Sequence, residues 1–528
     1  MTNKFFILFF LALLTAYSCV NEQEQQKKES PGNLPNIVII FADDMGYGDI
    51  QAYNSASRIP TPNLNALAES GMQFEDAHTN SAVCTPSRYG ILTGRYAWRT
   101  DLKRGVLKEP HKNKPLIEPG RLTLAGMLQQ HDYHTACIGK WHLGIAWEKN
   151  EQGESDYNRP FVSGPNDVGF DYFFGINAAL DMTPYGFYRN NQPVQPLDDQ
   201  QEALTFPLFI REGPKAKDFV HSEVLDRLTE EAVNYIEGQA DQPNPFFLYF
   251  ALTSPHKPVW PAERFQGSTT LGPYADFIVQ TDWTVGQILN TLKINELQDN
   301  TLVIFTSDNG SFMFRVNPDP NYPFDQEMPS QSFYIRKVGN GLQDHSENAE
   351  VHGYYPHVHT ANYTWRGTKA DIWEGGHRVP FIARWPGRIQ AGTKSNQAIC
   401  ITDVMATLAD LTGYSLREQE GEDSFSFLPE LLNEKPEISR APIILHSGNG
   451  TFAIREGKWK MIFSNGSGGR EVPIGKPWQQ PYSLFNLEID PSETTNVIDD
   501  YPGIAASLTE KMDEIRNSQS SKQSQSSK

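Results

Sequence analysis

The chain has 528 residues, with 45 Lys and Arg against 64 Asp and Glu, so its net charge at pH 7 is -19. Its length predicts two or more domains, and a hydrophobic fraction of 38% with 12% aromatic residues excludes a wholly disordered chain. The acidic balance leaves no basic stripe to follow a phosphate backbone, so no nucleic-acid partner is expected. An anionic ligand would need a local cationic pocket that works against the overall field.

The N-terminus has the pattern of an export signal. Lys4 precedes an apolar run, residues 5–14, that is too short to span a bilayer and has the size of a signal-peptide core. Residues 1–18 are therefore predicted to be a signal peptide. The preferred interpretation is a lipoprotein signal, in which Cys19 becomes the lipidated first residue and residues 19–33 form a polar tether; an ordinary export signal is the alternative. We therefore expect an exported lipoprotein of a bacterial cell envelope, attached to the membrane by its lipid anchor.

The cysteine count argues against a disulfide framework. The chain has four cysteines, Cys19, Cys84, Cys137 and Cys400, and lipidation of Cys19 would leave three. Cys137 and Cys400 lie in short apolar runs and are interpreted as buried, although a bond between them stays open. Cys84 differs from both, because polar and basic residues flank it.

Buried parallel strands are predicted where apolar runs end in polar residues. Residues 36–44 read NIVIIFADD and residues 301–310 read TLVIFTSDNG. Such runs, rich in Val and Ile, are typical of parallel strands that are covered on both faces. A helix-like stretch at about 275–297 precedes the second run, and similar helix–strand pairs are predicted at 122–144 and 224–256. Four strand ends could therefore bring polar residues to one edge of an α/β sheet, where ligands bind.

The C-terminal part has a different pattern. From about Ala441 the chain shows short alternating runs separated by Gly, Asn and Pro, which suggests a small antiparallel sheet, and a closing helix is predicted at about 504–516. We predict a large α/β domain at 34–437 and a smaller domain at 438–516. The low-complexity stretch 517–528 is predicted to be a disordered tail.

The first two strand ends offer oxygen ligands for a hard metal ion. Asp43 and Asp44 follow one strand, and Asp308 and Asn309 follow the other. Carboxylate and amide oxygens suit Ca²⁺ or Mg²⁺ rather than zinc. Taken alone, each pair could equally be a solvated turn.

Three short segments carry cations or histidines near predicted strand ends. They read GKWHLG at 139–144, PHKP at 255–258 and WRGTK at 365–369. In an extended chain Lys140 and His142 would lie on the same side. Each segment alone could be part of the protein surface.

Residues 84–95 read CTPSRYGILTGR, and this stretch resembles the signature of the type I, formylglycine-dependent sulfatases. Further blocks resemble the same family in the family's order, from about Asn36 to Val497: DDMGYGD, TPNLNALAESGMQF, GKWHLG, SPHKP, TSDNG, WRGTK, WEGGHRVP, TDVMATLADLTG, REGKWKM and LFNLEIDPSETTN. The resemblance implies an alkaline-phosphatase-like α/β sandwich, with a large central mixed sheet flanked by helices. Residues 34–437 would then be the sulfatase catalytic domain, beside a smaller domain with a short antiparallel sheet and a helix.

The resemblance also implies a nucleophile and a metal. A separate formylglycine-generating enzyme would oxidise Cys84 to Cα-formylglycine, whose hydrate attacks the sulfur of a sulfate ester and later expels sulfate. The family's Ca²⁺ ligands match Asp43, Asp44, Asp308 and Asn309, and the residue at position 84 would also reach the metal.

The remaining catalytic roles follow from the same resemblance. Arg88 would hold the formylglycine diol, and Lys140 and Lys369 would contact sulfate oxygens. His256 matches the general acid that protonates the leaving sugar oxygen, and His142 matches the residue that takes the diol proton in the elimination step.

Two stretches are candidates for substrate recognition. The segment 310–368 is long for the family and contains four histidines, at 345, 352, 357 and 359. A zinc site is one interpretation of the His-x-His pair, and a loop that shapes the substrate pocket is the preferred one. A second candidate stretch, NAALDMTPYGFYRNN, could equally be a structural loop. The predicted substrate-binding residues are Asp181, Tyr185, Arg189, His357 and His359.

The leading hypothesis is a Ca²⁺-dependent sulfatase that acts on a sulfated polysaccharide or its oligosaccharides. Ulvan, carrageenan and glycosaminoglycans all remain open as substrates, with ulvan favoured. The alternative is a phosphonate monoester hydrolase or phosphodiesterase of the same superfamily. A non-catalytic glycan-binding lipoprotein is a third possibility, against which the complete residue set argues.

Overall fold

The computed structural model describes residues 34–108, 114–204, 208–313, 359–434 and 440–522, and the backbone of two strands at 335–338 and 341–344. The chain from Pro35 onward forms one compact unit. Both predicted domains, 34–437 and 438–516, lie within this unit, and the boundary between them stays a prediction.

The regular elements are named here in chain order. The strands are β1 (Asn36–Asp43), β2 (Met72–Phe74), β3 (Ala77–His78), β4 (His134–Lys140), β5 (Tyr172–Ile176), β6 (Tyr188–Arg189), β7 (Gln192–Pro193), β8 (Asp199–Gln201), β9 (Gly213–Lys215), β10 (Phe246–Pro255), β11 (Thr301–Ser307), β12 (Ile335–Val338), β13 (Gly341–Asp344), β14 (Phe381–Arg384), β15 (Thr393–Ser395), β16 (Ile399–Cys400), β17 (Ile443–His446), β18 (Phe452–Glu456), β19 (Trp459–Ile462) and β20 (Ser483–Asn486). The α-helices are α1 (Pro62–Glu69), α2 (Cys84–Thr93), α3 (Leu124–Gln129), α4 (Val224–Gln239), α5 (Pro273–Ile294), α6 (Glu374–His377), α7 (Val404–Thr412), α8 (Leu428–Leu431) and α9 (Pro502–Asn517).

A ten-stranded mixed sheet forms the centre of the unit, in the order β15-β2-β14-β11-β1-β10-β4-β5-β6-β7. Strands β11, β1, β10, β4 and β5 are parallel to one another, whereas β14 is antiparallel to both β11 and β2. The four predicted strand ends belong to β11, β1, β10 and β4, which are adjacent in the sheet. The predicted large mixed sheet is therefore confirmed, and its carboxyl edge gathers the polar residues.

The middle strands are buried along their whole length. In β1, Ile37 lies opposite Phe247 of β10 on one side and Leu302 of β11 on the other. Every residue of β1, β10 and β11 is buried, which explains their continuous apolar sequence. Helices α1, α4 and α5 pack together on the sheet, and α2, α3 and α7 form a second packed group.

Helix boundaries follow local sequence signals. Helix α5 has a proline at its first position, where no hydrogen-bonding backbone N–H is needed. The side chain of Thr123 caps α3 by accepting a bond from the backbone of Gly126. Helix α4 buries Leu225, Leu228 and Ala232, the spacing of one helical face. These helices occur close to the predicted positions, because their capping and spacing signals are local.

Gly139 sets the end of β4 close to its neighbour. Its φ is 118°, and a Cβ atom there would lie 1.8 Å from the carbonyl oxygen of Ala251 in β10. Only glycine allows this close approach, which brings the residues after Gly139 to the edge of the sheet beside β10.

The C-terminal part forms an antiparallel sheet in the order β17-β18-β19-β20, and α9 covers one face of it, as predicted. Ile454 and Met461 pack there against Leu508 and Met512 of the helix. The other face packs on the large domain in a cluster that includes Ile372, Trp373, Ile443, Leu445 and Phe485. The small sheet is thus wedged between α9 and the segment that follows Lys369.

The remaining features of the fold are the chain ends and the cysteines. Asn517 ends α9, and Ser520 and Ser521 are buried, while residues 523–528 lie outside the described part. The predicted signal peptide, the Cys19 anchor and the tether also lie outside it. Of the residues that are described, none belongs to a helix long and apolar enough to cross a membrane. Cys84, Cys137 and Cys400 are buried and free, so no disulfide joins the last two.

Candidate active site

The carboxyl edge of the central sheet collects the predicted metal ligands and catalytic residues. Asp43 is the last residue of β1, and Asp44 follows it with a φ of 66°, in the left-handed region. Lys140 ends β4, His256 follows β10 and Asp308 follows β11. All five side chains are buried. Strained backbone such as that of Asp44 is typical of functional sites.

Three buried carboxylates at this edge are each bound by a buried cation. The pairs are Lys140 Nζ with both oxygens of Asp43 (2.9 and 2.8 Å), Lys369 Nζ with both oxygens of Asp44 (2.6 and 2.8 Å), and the Arg88 guanidinium with Oδ2 of Asp308 (3.1 and 2.8 Å). Isolated buried charges are very costly, so each group depends on its partner. The predicted cations and carboxylates are therefore brought together in one cluster.

The carboxyl groups of Asp43 and Asp308 differ in the direction in which their pKa is shifted. Burial raises the pKa of Asp43, and the attraction of Lys140 only partly offsets it. Burial also acts to raise the pKa of Asp308, but Arg88 and Lys140 lower it below the ordinary value. A divalent cation at the cluster would favour the ionised form of both groups.

The donor atoms fit a hard metal ion. A carboxylate oxygen of Asp43 and one of Asp44 lie within 4.8 Å of each other. Asn309 donates from Nδ2 to Oδ1 of Asp44 at 2.6 Å, and its own Oδ1 is buried with no hydrogen-bond partner among the described residues. A buried oxygen without a hydrogen-bond partner calls for an explanation, and a bound metal ion is one that fits its place beside Asp44. The oxygen-rich set suits a hard divalent cation such as Ca²⁺ or Mg²⁺.

Cys84 lies at the first position of α2, where the helix dipole favours negative charge. Its Sγ is 3.4 Å from Nδ1 of His142. The other ring nitrogen of His142 lies 3.2 Å from the carbonyl oxygen of Leu107, which can only accept, so Nε2 carries the proton and Nδ1 presents a lone pair to Cys84. Burial lowers the pKa of His142 well below its ordinary value, so this ring is a neutral base.

Arg88 connects α2 to the strand ends. Besides its bonds to Asp308, its Nη1 donates to the backbone carbonyl of Lys140 at 3.2 Å, and its Nη2 is 3.5 Å from Asp43. The guanidinium is completely buried. Arg88 thus fixes the helix that carries Cys84 against β1, β4 and β11.

His256 faces the metal cluster through one ring nitrogen. Its Nδ1 lies 2.6 Å from the carbonyl oxygen of Lys257, so Nδ1 carries the proton and Nε2 is left to face Oδ2 of Asp44 at 3.7 Å. Burial, with Lys369 and Lys140 nearby, lowers the pKa of His256 well below its ordinary value. His256 must therefore gain a proton at Nε2 before it can act as an acid.

Two of the predicted substrate-binding residues lie beside this cluster. The Oδ2 atom of Asp181 is 3.6 Å from Nζ of Lys257 and 3.6 Å from Nη2 of Arg211. The hydroxyl of Tyr185 donates to the carbonyl oxygen of Arg211 at 2.7 Å. Asp181 is thus linked to the site by Lys257, which directly follows His256. Tyr185 contributes only by holding the backbone of Arg211.

The other predicted substrate-binding residues are placed differently. Arg189 lies on β6, with its guanidinium 2.9 Å from Glu231 of α4, away from the metal cluster. His359 bonds Oδ1 of the buried Asp49 at 2.7 Å. His357 lies outside the described residues, as do two of the other histidines of that segment, so the zinc and pocket-loop interpretations stay predictions.

One cation near the site carries no signal in the sequence. Arg470 comes from the loop between β19 and β20, and its backbone N–H donates to Oδ1 of Asp371, two residues after Lys369, at 2.5 Å. Burial lowers the pKa of Arg470, while the carboxylates of Asp44 and Asp371 act to raise it. Only the packing of the small sheet against the large one brings this residue to the site.

Comparisons with known proteins agree with this geometry. A family model described as Sulfatase matches residues 35–414. The chain is 31% identical over 547 residues to N-acetylgalactosamine-6-O-sulfatase of Bacteroides thetaiotaomicron, covering 96% of this chain and 97% of that protein. The predicted resemblance is therefore confirmed.

Solved structures share the fold. One, from a Bacteroides thetaiotaomicron locus for the metabolism of multiple glycosaminoglycans, superposes with a TM-score of 0.75 at 30% identity, covering 92% of this chain and 100% of that one. Another, Ps i-CgsB in complex with k-i-k-neocarrahexaose, has a TM-score of 0.65 at 24% identity over 91% and 92% of the two chains, a likeness of fold alone. On these matches the chain belongs to the sulfatase family and is a sulfuric ester hydrolase.

Proposed function

We propose that this sulfatase hydrolyses sulfate esters of a sulfated polysaccharide or its oligosaccharides, with a Cα-formylglycine made from Cys84 as nucleophile and Ca²⁺ as cofactor. The observation that carries the proposal is the convergence of the Cys84 sulfur, the neutral base His142 and two buried lysines at one sheet edge. Buried cations beside a nucleophile suit a reacting group that is anionic.

The oxygen donors Asp43, Asp44, Asp308 and Asn309 would hold the calcium ion, together with the residue at position 84. The unpartnered Oδ1 of Asn309 supports this assignment. When bound, the ion neutralises negative charge on the sulfate and lowers the pKa of the attacking hydroxyl group.

The chain's own residues orient the sulfate and move the protons. Lys140 and Lys369 hold the sulfate oxygens and oppose the charge that builds in the transition state. His142 takes a proton at Nδ1 from residue 84, since that nitrogen faces it with a lone pair. His256 gives a proton from Nε2 to the leaving sugar oxygen, and the negative charge of a bound sulfate helps it to acquire that proton.

For the substrate, the first candidate is a 6-O-sulfated N-acetylgalactosamine unit of a glycan. The support is the relative of that name, which is similar along almost the whole chain. Ulvan and carrageenan fragments are the other candidates from the sequence.

The proposal includes export and lipidation at Cys19. The support is the short apolar run before this cysteine and the polar stretch after it. Replacement of Cys19 by Ala should move the protein from the membrane fraction to the soluble fraction, and an unchanged distribution would contradict the lipid anchor.

The test is sulfate release from a panel of sulfated oligosaccharides by enzyme that is co-produced with a formylglycine-generating enzyme. The mass of the Cys84 peptide verifies conversion, and Cys84→Ala is the control. Release that the control lacks supports the proposal and names the glycan. Turnover of an aryl phosphodiester in preference to every sulfate ester would instead support the phosphorus-ester alternative.

A further inference from the structure

We propose that Lys257 and Arg211, two cations beside the buried carboxylate of Asp181, form a second anion subsite next to the catalytic centre. The subsite binds an anionic group of the glycan, a carboxylate or a second sulfate, other than the sulfate that is cleaved. This inference rests on the proposed function, because it gives the substrate a second negative charge.

Asp181 organises the subsite without neutralising it. Its side chain is 2% exposed, and its Oδ2 lies 3.6 Å from a nitrogen of Lys257 and from one of Arg211. These distances are beyond direct hydrogen bonds, so both cations keep donors for a ligand. The Oδ1 atom of Asp181 has no hydrogen-bond partner among the described residues. The single negative charge of Asp181 thus holds Lys257 and Arg211 in place but cannot neutralise both of them.

The chain holds Lys257 and Arg211 on fixed backbone beside Asp181. Lys257 directly follows His256, and its side chain is 32% exposed, so it is accessible to a ligand. The Arg211 side chain is 48% exposed, while its backbone carbonyl is fixed by the hydroxyl of Tyr185 and its backbone N–H donates to the carbonyl of Asp181 at 3.3 Å. Both cations therefore stand on fixed backbone with solvent-facing ends.

A bound anionic ligand would explain the excess of positive charge beside Asp181. The chain carries a net charge of -19, so the cations are concentrated against the overall balance. A cationic patch in a cleft raises the local concentration of anions. Guanidinium groups also match carboxylate and sulfate geometry with two parallel hydrogen bonds. The patch continues from His256 and Lys369, which suits an anion on the same sugar as the cleaved sulfate or on the next one.

The kinetic test compares substrates with and without a second anion. The variants are Arg211→Gln and Lys257→Gln, with the exposed Arg417→Gln and Lys394→Gln as controls. The substrates are N-acetylgalactosamine 6-sulfate, its 4,6-disulfate, the 6-sulfated disaccharide with a uronic acid, and that disaccharide with the carboxyl group reduced. We expect each subsite variant to raise KM about 10-fold for substrates with a second anion, with little change in kcat, and to leave the singly charged sugars unaffected.

The pattern across substrates identifies the anion. A loss confined to the uronic acid disaccharide assigns the subsite to a carboxylate, and a loss confined to the disulfate assigns it to sulfate. Equal losses on all four substrates, or none, would overturn the proposal.

A binding measurement keeps this inference separate from the catalytic one. Calorimetry with the 6-sulfated uronic acid disaccharide and Cys84→Ala should give a dissociation constant about 10-fold lower than with Cys84→Ala combined with Arg211→Gln. If no glycan is hydrolysed but this difference persists, the proposed function fails and the subsite stands. If the two proteins bind equally, the subsite is wrong whatever the turnover.

Discussion

Asp44 is the residue that the proposed metal ion and Lys369 would share. Its carboxylate accepts bonds from Lys369 and from Asn309, and its Oδ2 faces His256 at 3.7 Å. A bound calcium ion and a bound sulfate would redistribute these contacts, because the ammonium group then has a second anion to contact. Charge at this one side chain therefore affects both metal affinity and substrate binding.

The first prediction concerns the metal. Asp44→Asn and Asp308→Asn each remove one negative charge and one strong oxygen donor, so we expect calcium affinity to fall by about 100-fold or more. Plasma mass spectrometry of dialysed protein should find about one calcium ion per wild-type chain and far less in either variant.

The control for this prediction is Asp276→Asn. Asp276 is a buried carboxylate of α5 that accepts backbone bonds from Gly267 and Thr269, away from the site. This variant should retain its calcium. Equal calcium loss in all three variants would point to unfolding, and no loss in the first two would remove these residues from the ligand set.

The second prediction separates charge stabilisation from metal binding. Lys369→Met removes a cation that would oppose charge on the sulfate, so kcat/KM should fall by about 100- to 1,000-fold. Calcium content should not fall, because the substitution removes positive charge from beside Asp44. Loss of calcium in Lys369→Met would mean that the lysine holds the ligand geometry rather than the substrate.

At the scale of elements, helix α2 holds the proposed maturation signal inside the fold. Cys84, Pro86 and Arg88 are all in this helix, and every residue of the helix is buried. Arg88 is completely inaccessible and is bonded to Asp308 and to Lys140. A separate enzyme cannot reach these side chains in the folded protein.

The third prediction is therefore that oxidation of Cys84 precedes folding. Folded protein incubated with a formylglycine-generating enzyme should keep an unmodified Cys84 peptide, whereas co-production of the two should convert it. Peptide mass measures both. A peptide of residues 80–95 should be converted in the same incubation, which shows that the enzyme is active, and conversion of the folded protein would contradict the prediction.

Strand β17 contains a histidine, His446, whose pKa changes when the chain folds. Burial lowers the pKa of His446 from 6.5 to about 4, and its Nε2 has no hydrogen-bond partner among the described residues. Between these values the unfolded chain binds a proton at this position that the folded chain does not bind. The contribution of His446 to stability is therefore present above pH 6.5 and is lost as the pH falls through about 4.

The fourth prediction gives the size of the pH dependence that His446 adds to the free energy of unfolding. Within that window His446 should make the free energy of unfolding rise by up to about 1.4 kcal/mol per pH unit. Urea unfolding at several pH values should show a slope smaller by this amount in His446→Phe and also in His446→Asn. The two variants can differ in stability, but an unchanged slope in both would mean that the ring is protonated in the folded state.

The sequence predicts those parts of the site that local pattern determines. Asp43 and Asp308 follow apolar runs whose length and composition already require buried parallel strands, so their meeting at one edge follows from topology. Arg470 could not be predicted, because its position depends on Gly469, where a Cβ atom would lie 2.3 Å from the backbone of Ala370. Such a contact between distant loops has no local signal.

At the scale of the whole molecule, a buried charge network joins the small sheet to the large domain. Lys460 of β19 lies 3.0 Å from Glu374 of α6 and 2.8 Å from Glu493, and 2.9 Å from Nε2 of His377. Its side chain and those of both glutamates are completely inaccessible. Near it, Arg455 of β18 is 2.8 Å from a carboxylate oxygen of Asp76. Opposite charges from distant parts of the chain thus meet where the two sheets pack.

The buried charge network around Lys460 bears on whether the predicted domains 34–437 and 438–516 fold independently. If they are, a substitution in β19 should affect the C-terminal part alone, and unfolding should occur in two steps. The apolar cluster that contains Ile372 and Leu445, with the Lys460 network beside it, argues instead for a single cooperative unit.

The fifth prediction follows from that argument. Lys460→Met leaves Glu374 and Glu493 buried without their ammonium partner, which should destabilise the folded protein by about 3–5 kcal/mol. Lys458→Met, two residues earlier, breaks only an exposed pair with Glu488 and should cost about 1 kcal/mol or less. Urea unfolding, followed both by tryptophan fluorescence and by loss of sulfate release, should shift together and in one step for Lys460→Met. If the fluorescence midpoint shifts while activity is lost at the wild-type urea concentration, the catalytic domain folds without the small sheet.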